Sequence, residues 1–124
     1  MSSQRPLSPH LQIYRFQIVT MLMSITHRIT GVILSSSLLL LAIMLTCLIK
    51  GPQVYEHFFV YSQHLLSQIY LFVLCYSFYY HLCNGVRHLF WDMGYGFDMP
   101  QVRVSGYLTL GTSIILTLIT WFMV

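Results

Sequence analysis

The sequence predicts an all-α membrane protein with three transmembrane helices, the amino terminus inside and the carboxyl terminus outside. Composition is the first observation behind this. Of 124 residues, 56% are hydrophobic and only 7% are charged, whereas soluble domains carry about 25% charged residues. The mean hydropathy is +0.70. Second, uncharged runs of membrane-crossing length recur three times. Third, the lysines and arginines lie almost entirely outside those runs and mostly on one side of them. The net charge of +3 is therefore a topology signal and gives no ground for nucleic-acid binding.

Residues 1–20 form a polar arm, with Arg5-Pro6 and Ser8-Pro9 holding the backbone extended or turning. Residues 1–28 show neither the short apolar core of a secretory signal nor the pattern of a transit peptide. The expectation is direct insertion from the cytosolic side or prior loss of a targeting segment. A three-helix anchor occupies residues 21–124. Phe16–Thr26 is mixed in character and starts the first helix ahead of the membrane. Ile29–Ile49 is free of charge over 21 residues, enough for a hydrocarbon core of about 30 Å at about 1.5 Å per residue. Lys50-Gly51-Pro52 ends it, and residues 53–59 read as a short loop. The second span is placed at about 62–84, and its excess apolar length is absorbed by tilt or interfacial ends. Residues 87–103 form the second loop, and the third span covers about 104–124. Arg5, Arg15, Arg28, Arg87 and Arg103 flank one side against Lys50 alone on the other, which places the amino terminus and the second loop inside. Cys47, Cys75 and Cys83 show no CxxC spacing and read as packing residues.

The stretch Tyr79–Asp92 concentrates the chemistry. On a helix His81, Gly85 and His88 fall at i, i+4 and i+7 and share a face. An imidazole, a position without a side chain and a polar end would suit a flat, bulky cofactor. A membrane histidine needs a partner. For His81, a hydrogen bond to a neighbouring helix and axial ligation of haem iron weigh equally on chemistry alone. His64 is too far along the same helix to serve the same iron, about 25 Å at helical rise. Ser24 and Arg28 lie one turn apart with His27 between them. As an isolated pattern this is an interfacial anchor; a hydroxyl and a guanidinium offered to a quinone carbonyl is the functional alternative. Asp92 reads as an interfacial charge within pairing reach of Arg87. Antiparallel neighbours would bring Ser24, His27 and Arg28 to the depth of His81, Arg87 and His88.

Three segments carry a resemblance: Arg5–Tyr14 (RPLSPHLQIY), Ser24–Gly31 (SITHRITG) and His81–Gly94 (HLCNGVRHLFWDMG). In this order, on a three-span chain, they resemble the cytochrome b large anchor subunit of succinate dehydrogenase (complex II) in its alphaproteobacterial and mitochondrial form. The resemblance implies a membrane-embedded complex with flavoprotein, iron–sulfur and small membrane-anchor subunits. It implies haem b with His81 as one axial ligand and the second ligand from the small anchor. It further implies His27 and His88 in the haem propionate region, and Ser24 and Arg28 at a ubiquinone site. The chain would not be catalytic alone, and its location would be a bacterial inner membrane or the mitochondrial inner membrane. Two other classes compete with this reading. A purely structural anchor would have lost haem and quinone contacts, against which the intact His81, Ser24 and Arg28 argue. A small transporter would need polar residues through the midplane of several spans or broken helices there; the midplane offers mostly Ser, Thr and Tyr, with Gly111 a lone small residue in the third span.

Overall fold

The computed structural model describes residues 18–123, with side chains from Thr20 onward. The arm at residues 1–20 lies almost wholly outside the described residues. Four helices follow one another: α1 (Ile18–Ile49), α2 (Pro52–Ser62), α3 (Leu65–Asp92) and α4 (Met99–Met123). Three of them, α1, α3 and α4, are long and apolar enough to cross a membrane. The helix α3 packs against α1 on one side and α4 on the other, with a smaller α1–α4 contact closing the bundle. Cross-helix pairs run in opposite residue order for α1–α3 (Thr26–Tyr80, Ser36–Tyr70) and for α3–α4 (Arg87–Ser105, Tyr79–Thr120). Both neighbours are thus antiparallel to α3.

The helix ends follow local chemistry. At the end of α1, Gly51 takes φ 108°, a region open chiefly to glycine, and Pro52 opens α2 at a position where no N–H is needed. At the end of α3, Gly94 has φ 86°. Its N–H donates to the Trp91 carbonyl at 2.8 Å, and the Tyr95 N–H donates to the Phe90 carbonyl at 3.0 Å. These two bonds make a Schellman stop.

Three expectations on element boundaries are corrected. Residues 53–59 form no loop; they lie within α2. Tyr55, Phe58, Phe59 and Ser62 recur at helical spacing and line a cavity of about 820 Å³ between α2, α1 and the start of α3. The second loop does not begin at residue 87: α3 continues to Asp92, with Asn84 and Arg87 buried against neighbours. The third helix begins at Met99, ahead of Val104, with Pro100 accommodated in its first turn.

The interior is more polar than the surface. Ser77, Tyr80, Asn84 and Arg87 are the buried residues of α3, and Val102, Gly106, Thr109, Ser113 and Thr117 are those of α4. These positions recur every three or four residues, so each set forms one stripe. Small side chains let two backbones approach closely where lipid supplies no hydrophobic drive between helices. Their hydroxyls bond back into their own helix, Ser113 to the Leu110 carbonyl at 2.9 Å and Thr117 to the Ser113 carbonyl at 2.7 Å. Bonds of this kind let a hydroxyl lie in an apolar setting without an outside partner. Gly111, the small residue that stands out in the sequence, is exposed and takes no part. Leucines, isoleucines and phenylalanines face outward along all three long helices, which is the pattern a lipid environment selects.

Candidate functional site

At one end of the bundle α1 presents Ser24, His27 and Thr30 to the Tyr80–Trp91 segment of α3. The His27 and His81 rings stack with centroids 3.8 Å apart and planes at 11°. His88 stands 5.4 Å from His27, and its edge meets Trp91 at 5.0 Å. Three imidazoles predicted from separate parts of the chain thus form one cluster. They do not converge on a point as ligands of a single ion would. Among the described residues no group of three or more His, Cys, Asp or Glu side chains could hold a metal ion.

Each imidazole is held differently. His81 Nδ1 lies 3.1 Å from Thr30 Oγ1 and 3.1 Å from the His27 carbonyl oxygen. Thr30 donates its own hydroxyl proton to that same carbonyl at 2.9 Å. His88 Nε2 is 3.5 Å from Asn84 Nδ2. His27 Nδ1 is buried and has no hydrogen-bond partner among the described residues. Such an atom calls for a partner beyond the described residues. A neighbouring pair ties the helices together: Tyr80 Oη contacts Thr26 Oγ1 at 2.5 Å and donates to the Met23 carbonyl at 3.2 Å.

Glycines shape the space around His81. A Cβ on Gly31 would sit 3.2 Å from His81 Cε1, a tight contact that the ring could accept only by moving back a few tenths of an ångström. A Cβ on Gly85 would meet nothing within 4 Å, which leaves the helix face one turn beyond His81 open.

Ser24 lines a cavity of about 330 Å³ with Thr20, Arg87, His88, Trp91 and Val102. Arg28 is exposed and does not line it. The pairing of Arg87 with Asp92 is corrected. Arg87 is buried and donates from Nε to Ser105 Oγ at 2.9 Å and from Nη2 to the Val102 carbonyl at 2.9 Å. A longer bond runs from Nη1 to Asn84 Oδ1 at 3.4 Å, and the guanidinium lies 4.1 Å above the Trp91 ring. Asp92, one residue beyond Trp91, faces away from this seam and is exposed. Sequence reasoning assigned no role to Thr30, Gly31 or Asn84. Thr30 did carry a signal, since it lies three residues beyond His27 and shares its helix face.

Fold and cluster together define a membrane-spanning helical protein with a histidine-centred polar site at one end of its bundle. The chain belongs to the succinate dehydrogenase/fumarate reductase transmembrane subunit family, whose profile matches residues 1–120. It is 44% identical over 119 residues to the succinate dehydrogenase cytochrome b556 subunit of Rickettsia felis, covering 96% of this chain and 92% of that one. It is 40% identical over 127 residues to the cytochrome b560 subunit of Reclinomonas americana, covering 98% and 87%. With the mitochondrial cytochrome b560 subunit of Mus musculus it shares 40% identity over 110 residues, covering 85% of this chain and 63% of the mouse protein. Relatives thus come from bacteria and from mitochondria, and the chain is, like them, a membrane protein.

Proposed function

We propose that the chain is the haem b- and quinone-binding membrane anchor subunit of a succinate:ubiquinone oxidoreductase. It would pass electrons from the iron–sulfur subunit to ubiquinone in a bacterial or mitochondrial inner membrane. The observation that carries this reading is the packing of α1 on α3, which gathers His27, His81 and His88 beside the cavity lined by Ser24. Family membership supplies the context, and the residues present fit the group. His81 has one nitrogen engaged by α1 and the other without a hydrogen bond among the described residues. The Gly85 face is open, and His27 Nδ1 lacks a partner that a propionate oxygen would provide.

In this reading His81 and a ligand from the small membrane-anchor subunit would hold the haem iron, and His27 and His88 would meet the propionates. When bound, haem b supplies a one-electron store next to the quinone site. The cavity volume falls in the range of small-molecule sites, about 300–1,000 Å³. Ser24 Oγ would donate a hydrogen bond to a quinone carbonyl oxygen there, and Arg28, exposed one turn further along α1 and outside the cavity lining, would turn inward to steady the reduced oxygen. Quinone reduction also takes up protons, and a polar cluster at a membrane boundary can draw them from water. The site end faces the cytoplasm or matrix, because Arg28 and Arg103 flank it while Lys50 lies at the opposite end. The flavoprotein and iron–sulfur subunits would bind on that side, with the arm at residues 1–20 in contact with them.

Two measurements test the proposal. A reduced-minus-oxidised visible spectrum of the detergent-extracted complex, purified through this chain, is expected to show a b-type haem with flavin and iron–sulfur subunits present. Soluble subunits without haem would instead identify a purely structural anchor. Ser24→Ala and Arg28→Leu are each expected to cut quinone reduction about tenfold or more, the cost of one hydrogen bond to a charged group. Succinate oxidation with an artificial soluble acceptor should persist in both. A parallel fall of both activities would point to assembly and count against the quinone assignment.

A further inference from the structure

We infer that Thr30 and the backbone carbonyl of His27 form a two-acceptor clamp on His81, fixing its Nδ1–H tautomer and so assigning Nε2 as the nitrogen presented to iron. This rests on the reading of His81 as a haem ligand and goes one step further, to which of its atoms binds and what holds the ring.

The argument is a count of protons. The carbonyl oxygen of His27 can only accept. Thr30 could in principle donate, but its hydroxyl proton is directed to that same carbonyl at 2.9 Å. The Thr30 oxygen therefore offers His81 a lone pair. Both oxygens around Nδ1, each 3.1 Å away, are acceptors. A lone pair on Nδ1 would face two others, whereas an N–H there satisfies both. In a neutral imidazole a proton on one nitrogen leaves the lone pair on the other, so Nε2 is the free base.

The clamp also sets the ring's direction. The His27 ring covers one face at 3.8 Å, and Gly31 brings the α1 backbone against the Cε1 edge. A hydrogen bond to the non-ligating nitrogen orients a metal-bound histidine and raises its basicity. Thr30 is thus a positioning residue. It adjusts a ligand without touching the cofactor.

The test uses the intact complex carrying Thr30→Val, Thr30→Ala or Thr30→Ser, with His81→Leu as reference. Readouts are haem content per flavin, haem midpoint potential and the low-temperature paramagnetic resonance of the ferric haem. Thr30→Val and Thr30→Ala are expected to raise the midpoint potential and shift the resonance, because a less basic ligand stabilises ferric iron less. Loss of haem from Val and Ala alone would support the clamp in stronger form. Thr30→Ser, which keeps the hydroxyl, should restore wild-type values. Thr30→Ala guards against a packing defect special to valine. Wild-type potential and resonance in both Val and Ala, with haem absent from His81→Leu, would overturn the clamp and leave the ligand assignment standing. Serine behaving like alanine would also overturn it, because packing and not the hydroxyl would then be at work. Haem retained in His81→Leu would remove the ligand reading itself and the clamp with it.

Discussion

Replacing His81 by leucine is expected to remove the b-type haem signal from the purified complex entirely. Leucine has no nitrogen, so iron would lose the ligand from this chain. His27, stacked 3.8 Å away on the neighbouring helix, could substitute only by rotating out of the stack and away from its place beneath His88. The structural cost of the change is smaller than the spectral one. His81 is half-buried, and its hydrogen bonds to α1 contribute about 0.5–1.5 kcal/mol each, so α1 and α3 should remain packed through Tyr80, Thr26 and Met23. The complex should therefore still be purified with its soluble subunits and still oxidise succinate with an artificial acceptor. Visible spectroscopy together with subunit stoichiometry checks both halves of this expectation. An unchanged haem spectrum would exclude His81 as the ligand.

Arg87→Met is expected to produce the opposite pattern, a loss of assembly that takes every activity with it. Arg87 is 5% exposed and holds α3 to α4 through Ser105 and the Val102 carbonyl. Its charge is spread over a planar fork whose face lies on Trp91. Methionine fills similar space but leaves the Asn84 and Val102 oxygens with fewer donors inside the seam. Hydrogen bonds from a charged donor contribute about 1.5–3 kcal/mol and a cation–π contact about 0.5–2 kcal/mol, so a loss of several kcal/mol is the expected scale. Arg87→Lys should recover only part of it, because an ammonium cannot reproduce the fork or the stacking. Thermal denaturation of the detergent-solubilised complex measures the effect. Wild-type stability in Arg87→Lys would show that the fork geometry is unimportant. Set beside Ser24→Ala, in which the two activities should separate, this variant distinguishes a scaffold residue from a site residue within the same cavity.

Arg87 also shows where sequence reading meets its limit. Its position at the end of an apolar run made it a membrane-flanking charge with Asp92 within pairing reach. In the folded chain its partners lie on the next helix, where no local pattern announces them, and α3 continues past the expected boundary because those partners exist. The helix α2 was missed for a related reason. Eleven residues that open on Pro52, directly after Gly51, are too few to span a membrane, and their aromatic face becomes meaningful only once α1 and α3 supply the cavity it covers.

What the sequence determined by itself is the set of properties that depend on one segment at a time. Charge-free runs of sufficient length specify apolar helices, because an unpaired backbone polar group in hydrocarbon is too costly for any open alternative. The spacing of His81, Gly85 and His88 specifies a shared face, and the three matching segments specify the family. Tertiary structure alone decided what depends on the rotation and depth of one helix against another. It chose the small-residue seam of Gly106, Thr109, Ser113 and Thr117 over Gly111, stacked His27 on His81, set Ser24 in a cavity and left Arg28 exposed outside its lining, and turned Thr30 toward Nδ1. Those outcomes follow from which faces two helices bury together, and between apolar helices in lipid that choice rests on close packing and polar contacts more than on hydrophobicity.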